Sequence, residues 1–173
     1  NVREMKRGPE VPASELEPAL AHAYEDWNLS PTPDPVIPGT EETAVSPLIG
    51  EAAPEFELTK LDESIFKLSD YQGRVVVLDF WATWCGPCIK AIPDVTRVVG
   101  SFPEDLVTLC AVNQSEPLSI IEQFLESRDW TELPVTLDFD MKVSRSYLVE
   151  GIPHTVVIGK DGKVAWVHTG YSE

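Results

Sequence analysis

Two cysteines separated by two residues form the part of this sequence best suited to chemistry. Cys85 and Cys88 lie where the apolar run 75–82 gives way to a helical pattern. At the start of a helix, backbone N–H groups and the helix dipole favour a thiolate over a thiol. Cys85 can then attack a disulfide, and Cys88, one turn further on the same face, can resolve the mixed disulfide that forms.

The same cysteine spacing also occurs in zinc sites, which need four ligands. The other candidate ligands form no second close pair; they are Cys110, His22, His154 and His168. We therefore expect no metal ion. Cys110 lies in the middle of an apolar run, so we interpret it as a small buried hydrophobic residue, not as a third redox thiol.

Composition and charge exclude several classes of function. The chain has 173 residues, of which 13 are Lys or Arg and 29 are Asp or Glu, giving a formal net charge of −16. So acidic a protein repels phosphate backbones and anionic lipid, so nucleic acid is not an expected partner. No apolar run approaches the ~20 residues that a membrane helix needs.

The distribution of proline divides the chain into two regions. Nine of the 15 prolines lie in residues 1–54. We interpret residues 1–50 as a Pro-rich, acidic segment with one short helix at 14–27, which docks on the main domain or belongs to a lost upstream domain. The chain begins with Asn1 and ends after an apolar strand, so we expect it to be a processed piece of a longer protein.

The second region, residues 51–173, alternates apolar strands with helical patterns. Strands are predicted at 56–59 and 65–68 as a hairpin, and at 74–81, 106–112, 135–137, 155–158 and 164–168; helices are predicted at 86–99, 116–128 and 141–148. Helices between buried strands predict an α/β domain with helices on both sides of a central sheet.

This pattern resembles the thioredoxin superfamily. The run Trp84-Cys85-Gly86-Pro87-Cys88 matches the active-site motif of thioredoxin in every residue. Further matches are Asp79 on the preceding strand, Pro93 in the helix, and the loop Gly151-Ile152-Pro153. The hairpin at 56–68, the entry at 53–56, and an extra helix and strand at about 115–138 are similar to the TlpA/ResA branch.

The resemblance implies a thioredoxin fold: a central mixed β-sheet flanked by helices, with an N-terminal hairpin and an inserted helix-strand unit. It implies that Cys85 is the nucleophile, Cys88 the resolving cysteine and Asp79 the proton relay. The bond Ile152–Pro153 is expected to be cis. Trp84, Gly86, Pro87, Ile152 and Pro153 are implied as active-site support and substrate-binding residues.

The chain also departs from the family pattern. Asp79 stands where many members of the TlpA/ResA branch have Asn, which predicts a more thioredoxin-like proton relay. His154 follows the predicted cis proline; it would stabilise the Cys85 thiolate as a cation, or it is a solvent-facing strand residue. The terminal helix of the fold is missing after Glu173.

The resemblance implies a thiol–disulfide oxidoreductase that mainly reduces protein disulfides. Its cofactor would be the Cys85–Cys88 pair itself, and its partners would be protein disulfides or dithiols and an upstream thiol reductant. We expect a monomer outside the cytoplasm, compatible with a membrane tether beyond this segment. The alternatives are a thiol peroxidase, although Leu78 replaces the proline of the peroxidatic pattern, and a redox-switched adaptor without catalysis.

Overall fold

A seven-stranded mixed sheet organises the part of the chain that the computed structural model describes, residues 18–20 and 46–170. The strand order is β2-β1-β5-β4-β3-β6-β7. The strands are β1 (Glu57–Lys60), β2 (Ile65–Lys67), β3 (Val75–Trp81), β4 (Val107–Gln114), β5 (Val135–Asp138), β6 (His154–Ile158) and β7 (Val164–Thr169). The helices are α1 (Gly86–Val99), α2 (Leu118–Arg128) and α3 (Lys142–Ser146), with a 3₁₀ turn at Leu68–Tyr71.

The pairing of the strands explains how the hairpin and the insertion belong together. Strands β3, β4 and β5 are parallel, whereas β6 runs antiparallel to β3. The hairpin β1–β2 joins the sheet through β5, against which β1 is antiparallel. The inserted unit α2–β5 therefore provides the edge on which the hairpin docks.

Strand β3 is buried along its whole length, and its alternating side chains serve two cores. Val75, Val77 and Trp81 pack with residues of α1 and α2. Val76, Leu78 and Phe80 pack with the hairpin and α3 on the opposite face. Helices on both sides of the sheet, as predicted, follow from this two-sided burial.

The element boundaries differ from the sequence expectations by two or more residues at three places. Strand β4 continues two residues further, to Gln114, and α2 begins only at Leu118 because Pro117 is its N-cap in an extended conformation. Helix α3 is shorter than predicted, and Leu148 beyond it has the left-handed φ of 57°. The predicted helix 14–27 lies outside the described residues except for 18–20, which are helical and bury Leu20 completely.

Candidate active site

The cysteine pair lies where β3 passes into α1. Cys85 is the N-cap of α1, Pro87 occupies the first turn, and the two cysteines form a disulfide. The backbone N–H of Cys88 donates a hydrogen bond to Cys85 Sγ at 3.2 Å. A negative charge on Cys85 Sγ would therefore be stabilised by this N–H group and by the helix dipole.

The two sulfur-bearing residues differ in accessibility. Cys85 is 4% exposed and Cys88 is fully buried. Trp84, directly before the pair, is 71% exposed and offers an apolar surface to solvent. Cys85 is thus the more exposed of the two cysteines.

The loop before β6 reaches the same edge of the sheet. Its bond Ile152–Pro153 is cis, as predicted. The next residue, His154, pairs with Phe80 near the end of β3, which brings Pro153 to the end of the sheet where the cysteines lie. The Pro153 carbonyl accepts a hydrogen bond from the N–H of Gly170 at 2.8 Å, which ties the loop to the end of β7.

Asp79 lies on β3 beneath this edge and is only 1% exposed. It shares a face of the strand with Val77 and Trp81, the face that packs against α1. Burial raises the pKa of Asp79 to about 7, although a hydrogen bond of 3.0 Å from the Thr155 hydroxyl to Oδ1 opposes the rise. The carboxyl can therefore take up and release a proton near neutral pH.

Glu116 is a site residue that sequence reasoning assigned only to a helix start. It is 8% exposed, and Oε2 accepts hydrogen bonds from Thr83 N and Asn113 Nδ2, both at 2.7 Å. The other oxygen accepts a hydrogen bond from the Thr83 hydroxyl. Glu116 therefore holds the loop before Cys85 against the end of β4. Its place after a buried strand was the available signal.

Both expectations for His154 require correction. The residue is 4% exposed, so it is not solvent-facing. Burial lowers the pKa of His154 to about 4, so the imidazole is neutral at neutral pH and supplies no cation to Cys85. Its Nδ1 lies 2.7 Å from Thr169 Oγ1, and its ring contacts Phe80 edge-on, on the face opposite to α1.

The third cysteine is separate from the redox pair. Cys110 is fully buried on the face opposite to α1, 3.3 Å from Thr136 Oγ1. Burial raises the pKa of the Cys110 thiol to about 12, so it is unreactive at neutral pH. Within residues 18–20 and 46–170, no group of three His, Cys, Asp or Glu side chains is placed to hold a metal ion.

Comparisons with known proteins agree with this geometry. The family model described as the AhpC/TSA family matches residues 49–167. The thiol-disulfide oxidoreductase ResA of Geobacillus kaustophilus is 38% identical over 131 residues, covering 76% of this chain and 74% of the relative. ResA of Bacillus subtilis is 37% identical over 121 residues, covering 70% and 67%.

Solved structures of thiol–disulfide exchange proteins resemble this chain in fold. A putative thiol:disulfide interchange protein DsbE of Chlorobium tepidum has a TM-score of 0.66 at 34% identity, covering 72% of this chain and 86% of that one. An exposed lipoprotein thioredoxin of Streptococcus pneumoniae has a TM-score of 0.62 at 30% identity, covering 69% and 92%. A thioredoxin fold with a cysteine pair at the start of α1 defines a thiol–disulfide oxidoreductase. The chain belongs to the AhpC/TSA family, within its TlpA/ResA-type thioredoxin-like branch.

Proposed function

We propose that this protein reduces disulfides in other proteins through its reduced Cys85–Cys88 pair. The observation that carries the proposal is the hydrogen bond from Cys88 N to Cys85 Sγ at the start of α1. It stabilises a thiolate on the more accessible of the two sulfurs. The Cys85 thiolate attacks one sulfur of the substrate disulfide, forms a mixed disulfide and releases the other substrate sulfur as a thiolate.

The second step needs a base for the buried Cys88 thiol. Asp79, on the strand face beneath α1, is proposed to accept that proton because its pKa lies near neutrality. The Cys88 thiolate then attacks Cys85 Sγ and breaks the mixed disulfide. The second substrate sulfur leaves as a thiolate, and the Cys85–Cys88 disulfide remains. An upstream thiol reductant must then restore the dithiol.

Substrate binding is proposed to use the surface around the cis proline. An extended substrate strand would pair with the Ile152 backbone beside Pro153, while the exposed ring of Trp84 contacts its apolar side chains. Gly86 and Pro87 between the cysteines and Ile152 before the proline favour the reducing direction, by resemblance. The partners are therefore protein disulfides and dithiols.

A location outside the cytoplasm is also proposed. Support comes from the similarity to the exposed lipoprotein thioredoxin of Streptococcus pneumoniae. Among the described residues, no helix has the length and apolar character required to cross a membrane. Fractionation of the native host and blotting for this chain would test the location; recovery with cytoplasmic markers alone would contradict it.

An insulin-reduction assay tests the proposed activity directly. The full chain with dithiothreitol as reductant should accelerate insulin reduction, and Cys85→Ser should abolish the acceleration. Cys110→Ser is the matched control and should retain it, because Cys110 lies on the other face of the sheet. A parallel peroxide-consumption assay covers the thiol peroxidase alternative. Peroxide turnover without insulin reduction would overturn the proposal, and substrate binding without either turnover would indicate the adaptor.

A further inference from the structure

Three polar side chains form a row across the sheet beneath the cysteine pair. Asp79 of β3 is directly opposite Thr155 of β6, and Thr155 is directly opposite His168 of β7. Directly opposed residues of antiparallel strands place their side chains on the same face, with Cβ atoms ~4.5–5.5 Å apart. The row therefore lies on the face that packs against α1.

The row leads from the interior towards an edge of the sheet. Asp79 is 1% and Thr155 8% exposed, whereas His168 is half-buried on β7, the last strand in the order. On the same face, the neighbouring positions Val77 and Val157 are apolar. The His168 ring stacks on Trp166, with centroids 5.6 Å apart and planes 6° from parallel. This stacking limits the orientations of the imidazole.

We propose that Thr155 and His168 carry the proton between Asp79 and solvent during each redox cycle. The inference rests on the proposed role of Asp79 as the base for Cys88. A carboxyl that is almost completely buried cannot exchange its proton with bulk water directly, and the Thr155 hydroxyl already contacts it at 3.0 Å. His168, on the edge strand β7, is more exposed than Asp79 and Thr155.

The proton balance of this relay is simple. Before the transfer, Thr155 donates its hydroxyl hydrogen to the Asp79 carboxylate. Once Asp79 has taken the proton of Cys88, its O–H donates to Thr155 Oγ1, and the Thr155 hydroxyl turns to donate to a ring nitrogen of His168. The imidazole accepts that proton and releases one to water. No electron moves along the row, and Asp79, Thr155 and His168 return to their starting charges. Rotation of the Thr155 hydroxyl and a tautomer exchange of His168 then reset the row.

The elements around the row differ in the ionisable groups that they carry. Helix α1 carries the Cys88 thiol, the proposed source of the proton, which is buried in the core on this face. From β4 the residue opposite Asp79 is Ala111, which carries no charge. From β6, His154 precedes Thr155 on the opposite face, and its interaction with His168 helps to lower the pKa of His154. The pH dependence of the relay is therefore expected to follow the pKa of Asp79, which is about 7.

The test compares the two chemical steps in the full chain. Stopped-flow tryptophan fluorescence of the reduced protein with excess disulfide peptide separates the concentration-dependent attack by Cys85 from the concentration-independent resolution by Cys88. At pH 7 we expect Thr155→Val to slow resolution about tenfold and His168→Ala severalfold, with attack unchanged. Thr136→Val, which removes a buried hydroxyl beside Cys110, is the matched control and should change neither step.

Chemical rescue distinguishes a relay from a structural role. Imidazole added at constant pH and ionic strength should restore resolution in His168→Ala and leave wild type unchanged. Resolution at wild-type rates across pH 5.5–9 in both variants would overturn the proposal, as would slow resolution in His168→Ala that imidazole does not restore. If Asp79→Asn also resolves the mixed disulfide at the wild-type rate, the proposed role of Asp79 as the base is wrong as well. If Asp79→Asn is slow but Thr155→Val and His168→Ala are not, only the relay through Thr155 and His168 is wrong.

Discussion

Two adjacent rows of residues cross strands β3, β6 and β7, and each contains one buried ionisable side chain. The first row is Asp79, Thr155 and His168 on the face of α1; the second is Phe80, His154 and Thr169 on the other face. Burial is the largest cause of both pKa shifts: the pKa of Asp79 rises to about 7, and that of His154 falls to about 4.

The same physical cause thus has opposite functional consequences. Desolvation disfavours the charged form of either group. It therefore raises the pKa of a carboxyl towards 7 and lowers the pKa of an imidazole further below 7. Asp79, on the strand face that packs against α1, is left with a pKa close to physiological pH, whereas His154 is held neutral. Burial of an ionisable residue near an active site is therefore insufficient evidence for a catalytic role.

The largest effect, on the free energy of unfolding, is expected when Asp79 of the first row is replaced. Unfolded Asp has a pKa near ~3.9, so the raised pKa of about 7 means that the unfolded state deprotonates first. Wild type should therefore lose stability as pH rises from about 4 to 7, by up to roughly 4 kcal/mol. Asp79→Asn should lack this loss and be more stable than wild type above pH 7, as measured by urea unfolding between pH 4 and 8.5.

The same variant should be a slower enzyme. Removing a general base costs typically ~10²-fold or more, so resolution of the mixed disulfide should fall at least tenfold at pH 7. Attack by Cys85 should change less, because that step uses the sulfur at the helix start.

The stability prediction has its own contradicting outcome. Parallel curves of unfolding free energy against pH for wild type and Asp79→Asn would show that Asp79 is not a neutral buried acid in the folded state.

Glu116 extends the comparison to a second buried carboxyl. It accepts three hydrogen bonds, from Thr83 N, the Thr83 hydroxyl and Asn113 Nδ2, whereas Asp79 accepts one from the Thr155 hydroxyl. Replacing Glu116 by Gln puts an NH₂ group where one oxygen accepted hydrogen bonds. A buried donor or acceptor left unpaired costs ~1–3 kcal/mol, so we expect destabilisation of that order and slower attack by Cys85. In contrast to Asp79→Asn, this change should destabilise.

Glu122→Gln is the matched control for Glu116, since Glu122 is exposed on α2. We expect its free energy of unfolding to stay within ~0.5 kcal/mol of wild type. Chemical denaturation of wild type, Glu116→Gln and Glu122→Gln at pH 7 measures these free energies of unfolding. Equal stability of the Glu116 and Glu122 variants would mean that the contacts with Thr83 and Asn113 do not hold the active-site loop.

The second row predicts a smaller effect at acid pH. The pKa of His154 is lowered to about 4 in the folded protein, whereas unfolded His titrates near ~6.5. The unfolded state therefore gains a proton first, so His154 makes stability fall as pH drops from about 6.5 to 4. Allowing for solvent screening, the loss should be roughly 1–2 kcal/mol.

His154→Gln should reduce this acid loss. The variant also alters the contact with Thr169, so the slope of stability against pH between 4 and 6.5 is the quantity to compare, not its absolute value. Both proteins would be unfolded thermally across that range in buffers of equal ionic strength. An unchanged slope would show that another group carries the acid sensitivity.

Much of the site could be predicted because its signals are local in sequence. The cysteine spacing, the apolar run of β3 and the loop around Pro153 each lie within a few residues, and strand alternation places Asp79 on a defined face. The position of Glu116 after a buried strand was a signal, but its contact with Thr83 could not be predicted, because Thr83 is 33 residues away. The environment of His154 and the position of His168 opposite Thr155 depend on the register of β6 and β7.

The smallest effect is expected at Cys110, which shares the core of the second row. Its pKa of about 12 leaves a negligible fraction of thiolate at pH 7, and burial denies access to reagents. Limiting iodoacetamide on the fully reduced protein should therefore label Cys85 first, with Cys110 unlabelled until the protein is unfolded. Peptide mapping by mass spectrometry, native and in denaturant, gives the order of labelling. Labelling of Cys110 before Cys85 in the native protein would mean that the core opposite α1 opens faster than Cys85 reacts. The difference in reactivity between the two cysteines would then depend on local opening as well as on burial.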